Sequence, residues 1–117
     1  MDISCRFDGD VATFDISGRL DQDSAGQLKA ASREIVAAGN CKMIIDMSRL
    51  EFINSSGLGS LVSLLKDIRT NNGSLKLVIP APFIREIFEI TQLCNIFDIY
   101  SDEKNARRSF NEALVKC

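Results

Sequence analysis

The chain has 117 residues, of which 45% are hydrophobic and 26% charged, so it is long enough for one core and too apolar to stay disordered. Fourteen basic against sixteen acidic side chains leave a formal net charge of -2, which gives no field to gather nucleic-acid backbones or an anionic membrane. The chain lacks histidine, which removes Ser-His-Asp and Cys-His catalysis, and its four cysteines form no CxxC, which argues against zinc. One domain over residues 1–117 is expected, monomeric when free and needing no metal, disulfide or cofactor. Cys5, Cys41 and Cys94 are expected to behave as small buried apolar residues, and Cys117, near the end, to be open to oxidation. The start Met1-Asp2-Ile3-Ser4-Cys5-Arg6 has no secretory pattern and no later run spans a membrane, so a cytoplasmic location is expected.

Side chains alternate from Ile3 to Phe7 and again from Val11 to Ser17, with Asp8-Gly9-Asp10 as the turn between them, predicting an antiparallel hairpin. Gly18-Arg19-Leu20-Asp21 is expected to break the second strand. Asp23 or Ser24 would then cap a helix with Leu28, Ala31, Ile35 and Ala38 inward, ended by Gly39. Lys42 to Met47 reads as a strand in the middle of a sheet, followed by a turn over residues 48–53. From about Ser55 to Thr70, Leu58, Leu61, Val62, Leu65 and Ile68 form one helical stripe, stopped at Asn71-Asn72-Gly73. A strand from Leu75 to Ile79, a short helix opened by Pro82, a brief strand near 96–99 and a last helix from about Asp102 to Val115 complete the pattern. Phe83, Phe88 and Phe97 are expected in the core, and Tyr100 at the surface. The fold class is α/β: a mixed sheet with an N-terminal antiparallel hairpin and about four packed helices.

The most informative stretch is residues 44–59, IIDMSRLEFINSSGLG: a buried strand, a connection, and a helix opening at small polar residues. Asn54 is suited to cap that helix, which puts Ser55 at its first position with its hydroxyl outward. Gly57 and Gly59 each cost roughly 1 kcal/mol in a helix relative to alanine, so they call for a reason, either approach by another surface or tight packing on the sheet. The glycine spacing is not that of a nucleotide-binding loop, and no lysine follows it. Residue types alone leave open that Asn54, Ser55 and Ser56 merely cap the helix. Lys104, Arg107 and Arg108 suggest an anion site less than a solvated helix face.

LEFINSSGLGSL after IIDMS resembles the signature of the STAS-domain anti-sigma-factor antagonists, and GRLDQDSAGQL resembles that family's G-x-L-D turn. The two motifs stand in the family's order, and the resemblance covers essentially the whole chain. It implies the STAS fold, Ser55 as the phosphate acceptor, and a contact surface for an anti-sigma factor at Asp21, Asn54, Ser55, Ser56, Gly57 and Leu58. The family more often carries aspartate where this chain has Asn54, a change that keeps the cap and removes a charge. The implied partners are an anti-sigma factor with serine kinase activity and a phosphoserine phosphatase, with no nucleic acid and no membrane insertion. The unphosphorylated protein would release a sigma factor, without being an enzyme. The alternatives are a fixed STAS subunit of a lipid transporter or stress-signalling assembly, and an enzyme with a lysine-assisted Ser55 nucleophile.

Overall fold

A computed structural model describes residues 1–40 and 42–112. Its elements run β1 (Asp2–Asp8), β2 (Val11–Leu20), α1 (Gln22–Ala37), β3 (Lys42–Ile53), α2 (Ser55–Thr70), β4 (Ser74–Val78), α3 (Pro82–Ile90), a 3-10 turn (Leu93–Asn95), β5 (Asp98–Tyr100) and α4 (Glu103–Glu112). The sheet order is β1-β2-β3-β4-β5; β1 is antiparallel to β2, and the remaining neighbours are parallel. Parallel neighbours joined by right-handed crossovers in one direction place α1, α2 and α3 on the same face. Two clusters follow from the alternation of side chains along the strands. Phe14, Ile16, Met43, Ile45, Leu75 and Leu77 meet Leu28, Leu61, Leu65, Ile84 and Phe88 on that face, while Val11, Ile44 and Val78 meet Ala106 and Phe110 of α4 on the other.

Several expectations change once strands pair. Gly18-Arg19-Leu20 does not break β2, and residues 48–53 are not a turn. The two segments continue as strands, pairing Ser17 with Arg49, Gly18 with Leu50, Arg19 with Phe52 and Leu20 with Ile53 through two register shifts. Gly18, at φ +88, absorbs the irregularity, and the Arg19 guanidinium lies 3.9 Å from the Phe52 ring centre. The cap of α1 is therefore Asp21, not Asp23 or Ser24. Its Oδ1 accepts from the Asp23 and Ser24 amides at 3.1 and 3.2 Å, and Ser24 Oγ accepts from the Asp21 amide at 2.9 Å, a reciprocal capping box. Ala38 is the exposed C-cap and not an inward residue.

Phe88 and Phe97 are core residues in edge-to-face contact at 5.8 Å, but Phe83 is 52% exposed, because Ile84 and Phe88 take the inward side of α3. Tyr100 is half-buried beside the α4 cluster. Cys5 and Cys94 are exposed, correcting the expectation of burial. Cys5 lies on the outer strand and Cys94 in the 3-10 turn, while Cys41 and Cys117 lie outside the described residues. The last helix is described to Glu112, so its expected end at Val115 also falls outside.

Candidate functional site

The C-terminal ends of adjacent parallel strands β2 and β3 lead directly into α1 and α2, so the two helices open on one rim of the sheet. Asp21 starts the first helix and Asn54 the second. Asn54 has extended backbone, and its Oδ1 accepts the Gly57 amide at 3.0 Å, as the sequence predicts for a cap. Its own amide donates to the Leu20 carbonyl at 3.3 Å. That carbonyl is the joint between the two openings. A Cβ on Gly57 would stand 2.3 Å from the Leu20 oxygen and 3.0 Å from Ile53 Cγ1, so only glycine lets the first turn of α2 lie on the end of β2. Gly57 is accordingly buried, and its closest surface is the chain's own backbone.

Ser55 and Ser56 are exposed at the first two positions of α2, and neither hydroxyl enters a side-chain hydrogen bond among the described residues. Leu58 is half-buried against the core, and Gly59 is exposed, with nothing within 4 Å of the place a Cβ would take. The first turn of α2 contains no acidic residue, so the partial positive charge of its amides is not offset by a neighbouring carboxylate. At Asp21, burial works against ionisation, but the Ser24 and Asp23 amides, the Ser24 hydroxyl and Arg19 outweigh it and hold the carboxyl below its usual range. The Asp21 Oδ2 lies 3.7 Å from Arg19 Nε. The rim thus presents a fixed carboxylate and two free hydroxyls above one shared backbone joint.

Two features are hidden when the chain is read in order. Phe83 stands in the first turn of α3, which opens from β4 beside β3 on the same rim, and Ile90, 74% exposed, lies two turns further along α3. The signal was the helical spacing of Ile84 and Phe88, which leaves Phe83 off the inward stripe. On the opposite face, Asp15, Asp46 and Glu103 bring carboxylate oxygens within 4.8 Å of one another. Arg6 already bonds to Asp15 at 2.6 and 3.0 Å and to Glu103 at 2.7 Å. Sequence separation hides this cluster, since its four residues come from four elements. Burial, then the neighbouring Glu103, pushes the Asp46 carboxyl up, despite hydrogen bonds from Ser48, whereas the bond from Arg6 holds Glu103 down. Arg107 pairs with Glu103 at 3.0 Å and Asp8 at 3.2 Å, which ties it to the hairpin; Lys104 and Arg108 are exposed.

The family model of the STAS domain matches residues 2–106. A Bordetella bronchiseptica protein described as an anti-sigma factor antagonist, BtrV, is 31% identical over 101 residues, covering 86% of this chain and 87% of its own length. The crystal structure of TM1081 from Thermotoga maritima, described in the same terms, superposes with a TM-score of 0.87 at 24% identity, covering 93% of this chain and 94% of that one. The Bacillus cell-fate determinant SpoIIAA in its phosphorylated form superposes with a TM-score of 0.71 at 21% identity, covering 92% and 99%.

Proposed function

Since the chain belongs to the STAS-domain family of anti-sigma-factor antagonists, we propose that its unmodified form docks on an anti-sigma factor with serine kinase activity and is switched off when that kinase phosphorylates Ser55. The docking surface is the rim of Asp21, Asn54, Ser55, Ser56 and Leu58, with Gly57 holding its two halves together from beneath. The observation that carries this reading is the free, exposed hydroxyl of Ser55 at the first position of a capped 16-residue helix. A partner that covers this surface accepts a neutral hydroxyl; a phosphate adds a charge of about -1.5 to -2, with bulk, at the middle of the contact. The same phosphate is favourable to the free protein, because it meets the amides of a helix N-terminus. Modification therefore releases the partner without unfolding the chain. Each 1.4 kcal/mol is about tenfold in affinity, so a few kcal/mol of repulsion make a usable switch.

The catalytic base and the nucleotide belong to the kinase, and a phosphoserine phosphatase restores the docking form. The protein itself performs no catalysis in this scheme, consistent with its lack of an imidazole. It works in the cytoplasm, where a sigma factor acts; no helix among the described residues is long and apolar enough to cross a membrane.

The test is a pair of substitutions at Ser55. Ser55→Ala removes one exposed hydroxyl, so folding stability changes by no more than roughly 0.5 kcal/mol. It binds the cognate anti-sigma factor as the wild type does and accepts no phosphate. Ser55→Glu folds equally well, since an acid suits this position, and binds far more weakly. Calorimetric titration of both variants, with thermal melts as the folding control, gives the answer. Equal binding by Ser55→Glu and the wild type, or kinase labelling of Ser55→Ala, overturns the assignment and leaves Ser55 as part of a helix cap or of a fixed assembly surface.

A further inference from the structure

The outer edge of β1 is open: β2 pairs with one side of it, and no strand among the described residues pairs with the other. An open edge seven residues long is a template for another strand, and the side chains on it decide which. Ile3, Cys5 and Phe7 share one face of β1 by alternation, with Met1 immediately before the strand in phase with them, and Asp2, Ser4, Arg6 and Asp8 share the other. The apolar row lacks a full cover: Phe7 is 57% exposed, Cys5 is exposed, and Ile3 only half-buried.

These rows are self-complementary in one antiparallel register. With Ser4 on a two-fold axis, Asp2 stands opposite Arg6 of a second copy, Ile3 opposite Cys5, and Met1 opposite Phe7, so every apolar residue meets an apolar one and both charged pairs are of opposite sign. Centring on Cys5 instead sets Asp2 against Asp8, and like charges directly opposite are destabilising. Arg6 reaches back from β1 over β2 to the start of α4. Its Nε and Nη2 are used on Asp15 and Glu103, which fix the guanidinium and leave Nη1 without a hydrogen bond among the described residues. Asp2 is exposed and has no ion pair among them.

We propose that β1 is a docking edge for a second copy of this chain, joining two five-stranded sheets into one through a Ser4-centred antiparallel seam. The seam is short, so the dimer forms and separates with concentration, in the manner of small transient interfaces. The length and composition led to the expectation of a monomer when free; the proposed dimer departs from that expectation as concentration rises, while each copy still folds on its own core. The seam lies at the first strand of the sheet, away from the opening of α2 after β3, so it leaves Ser55 uncovered on both copies.

Sedimentation equilibrium of the full chain up to about millimolar concentration is expected to show a reversible monomer–dimer equilibrium. Asp2→Arg places like charges opposite Arg6 and is expected to weaken the dimer at least tenfold with no change in melting temperature. Ser4→Cys in a Cys5→Ser background sets two thiols directly opposite, where Cα atoms are about 4.5–5.5 Å apart, within disulfide range. Peptide mapping is expected to find the linkage between residue 4 of each copy. A monomer at every concentration overturns the proposal. So does a dimer that is indifferent to Asp2→Arg, or one that gives no cross-link at residue 4, because both outcomes place the contact elsewhere. Binding of an anti-sigma factor is a separate measurement, so failure here leaves the Ser55 reading standing.

Discussion

Gly57 and Gly59 lie two residues apart in the same helix, and their surroundings ask opposite things of them. A side-chain carbon at Gly57 collides with the Leu20 carbonyl, a backbone atom that can move only if the end of β2 moves with it. Gly57→Ala is therefore expected to cost about 1–3 kcal/mol, the usual range for overpacking a tight site. At Gly59 the space is empty, so Gly59→Ala is expected to gain up to about 1 kcal/mol from helix propensity alone. Denaturant melts of the two variants measure both signs. If Gly59→Ala also loses affinity for the anti-sigma factor while the fold gains stability, the partner comes close at that position. The residue type was visible in the chain, but which glycine served the fold depended on the nearest atom in space.

At the scale of the element, α2 shows how much depends on its opening. The helix has an asparagine cap and no acid in its first turn, whereas α1 has an aspartate cap, Asp23 in its first turn and a reciprocal serine. Asn54→Ala removes the acceptor for the Gly57 amide and is expected to cost about 1 kcal/mol by thermal melt. Asn54→Asp keeps the acceptor and adds a charge favourable to the helix dipole, so it is expected to stabilise by roughly 0.3–1 kcal/mol. The same charge stands beside Ser55, where it opposes the phosphate of the proposed switch. Asn54→Asp is therefore expected to favour the unphosphorylated form in a kinase and phosphatase assay, which reads the substitution independently of stability.

For the whole molecule, the two faces of the sheet are held by different means. Apolar packing under α1, α2 and α3 needs no charge, but the start of α4 is tied to the hairpin by Arg6 through Asp15 and Glu103, and by Arg107 through Asp8. Asp46 is half-buried beside that network, with its carboxyl pushed up by burial and by Glu103. A carboxyl whose pKa is higher in the folded state than in the unfolded one costs stability at pH above both values, where the fold must hold it ionised in an unfavourable place, and costs nothing at pH low enough to protonate it in both states. Asp46→Asn is neutral at every pH. It is expected to melt higher than the wild type at neutral pH, with the advantage disappearing as the pH falls below the usual carboxylate range. Glu103 has the opposite sign: held down by Arg6, it contributes stability above its ordinary pKa that is lost on acidification. Melting curves of wild type and Asp46→Asn from neutral to acid pH separate the two contributions.

The order of elements, the Asn54 cap, the helix from Ser55 and the buried face of β3 followed from the chain itself, because periodicity and turn chemistry are local and each of these features is decided within one element. The prolonged pairing of β2 with β3 was not local. Neither Gly18-Arg19-Leu20 nor residues 48–53 forms a strand by its own preference, and each became one by supplying the other's hydrogen bonds. That pairing brought Leu20 beneath Gly57 and moved the cap of α1 to Asp21. The exposure of Cys5 and Phe83 and the meeting of Arg6 with Asp46's neighbours likewise depended on which elements cover which. Sequence by itself thus determined where a helix opens and which hydroxyl stands at its start. Only the tertiary structure decided what lies beneath that opening and what remains uncovered around it, because burial and close approach belong to pairs of segments distant along the chain.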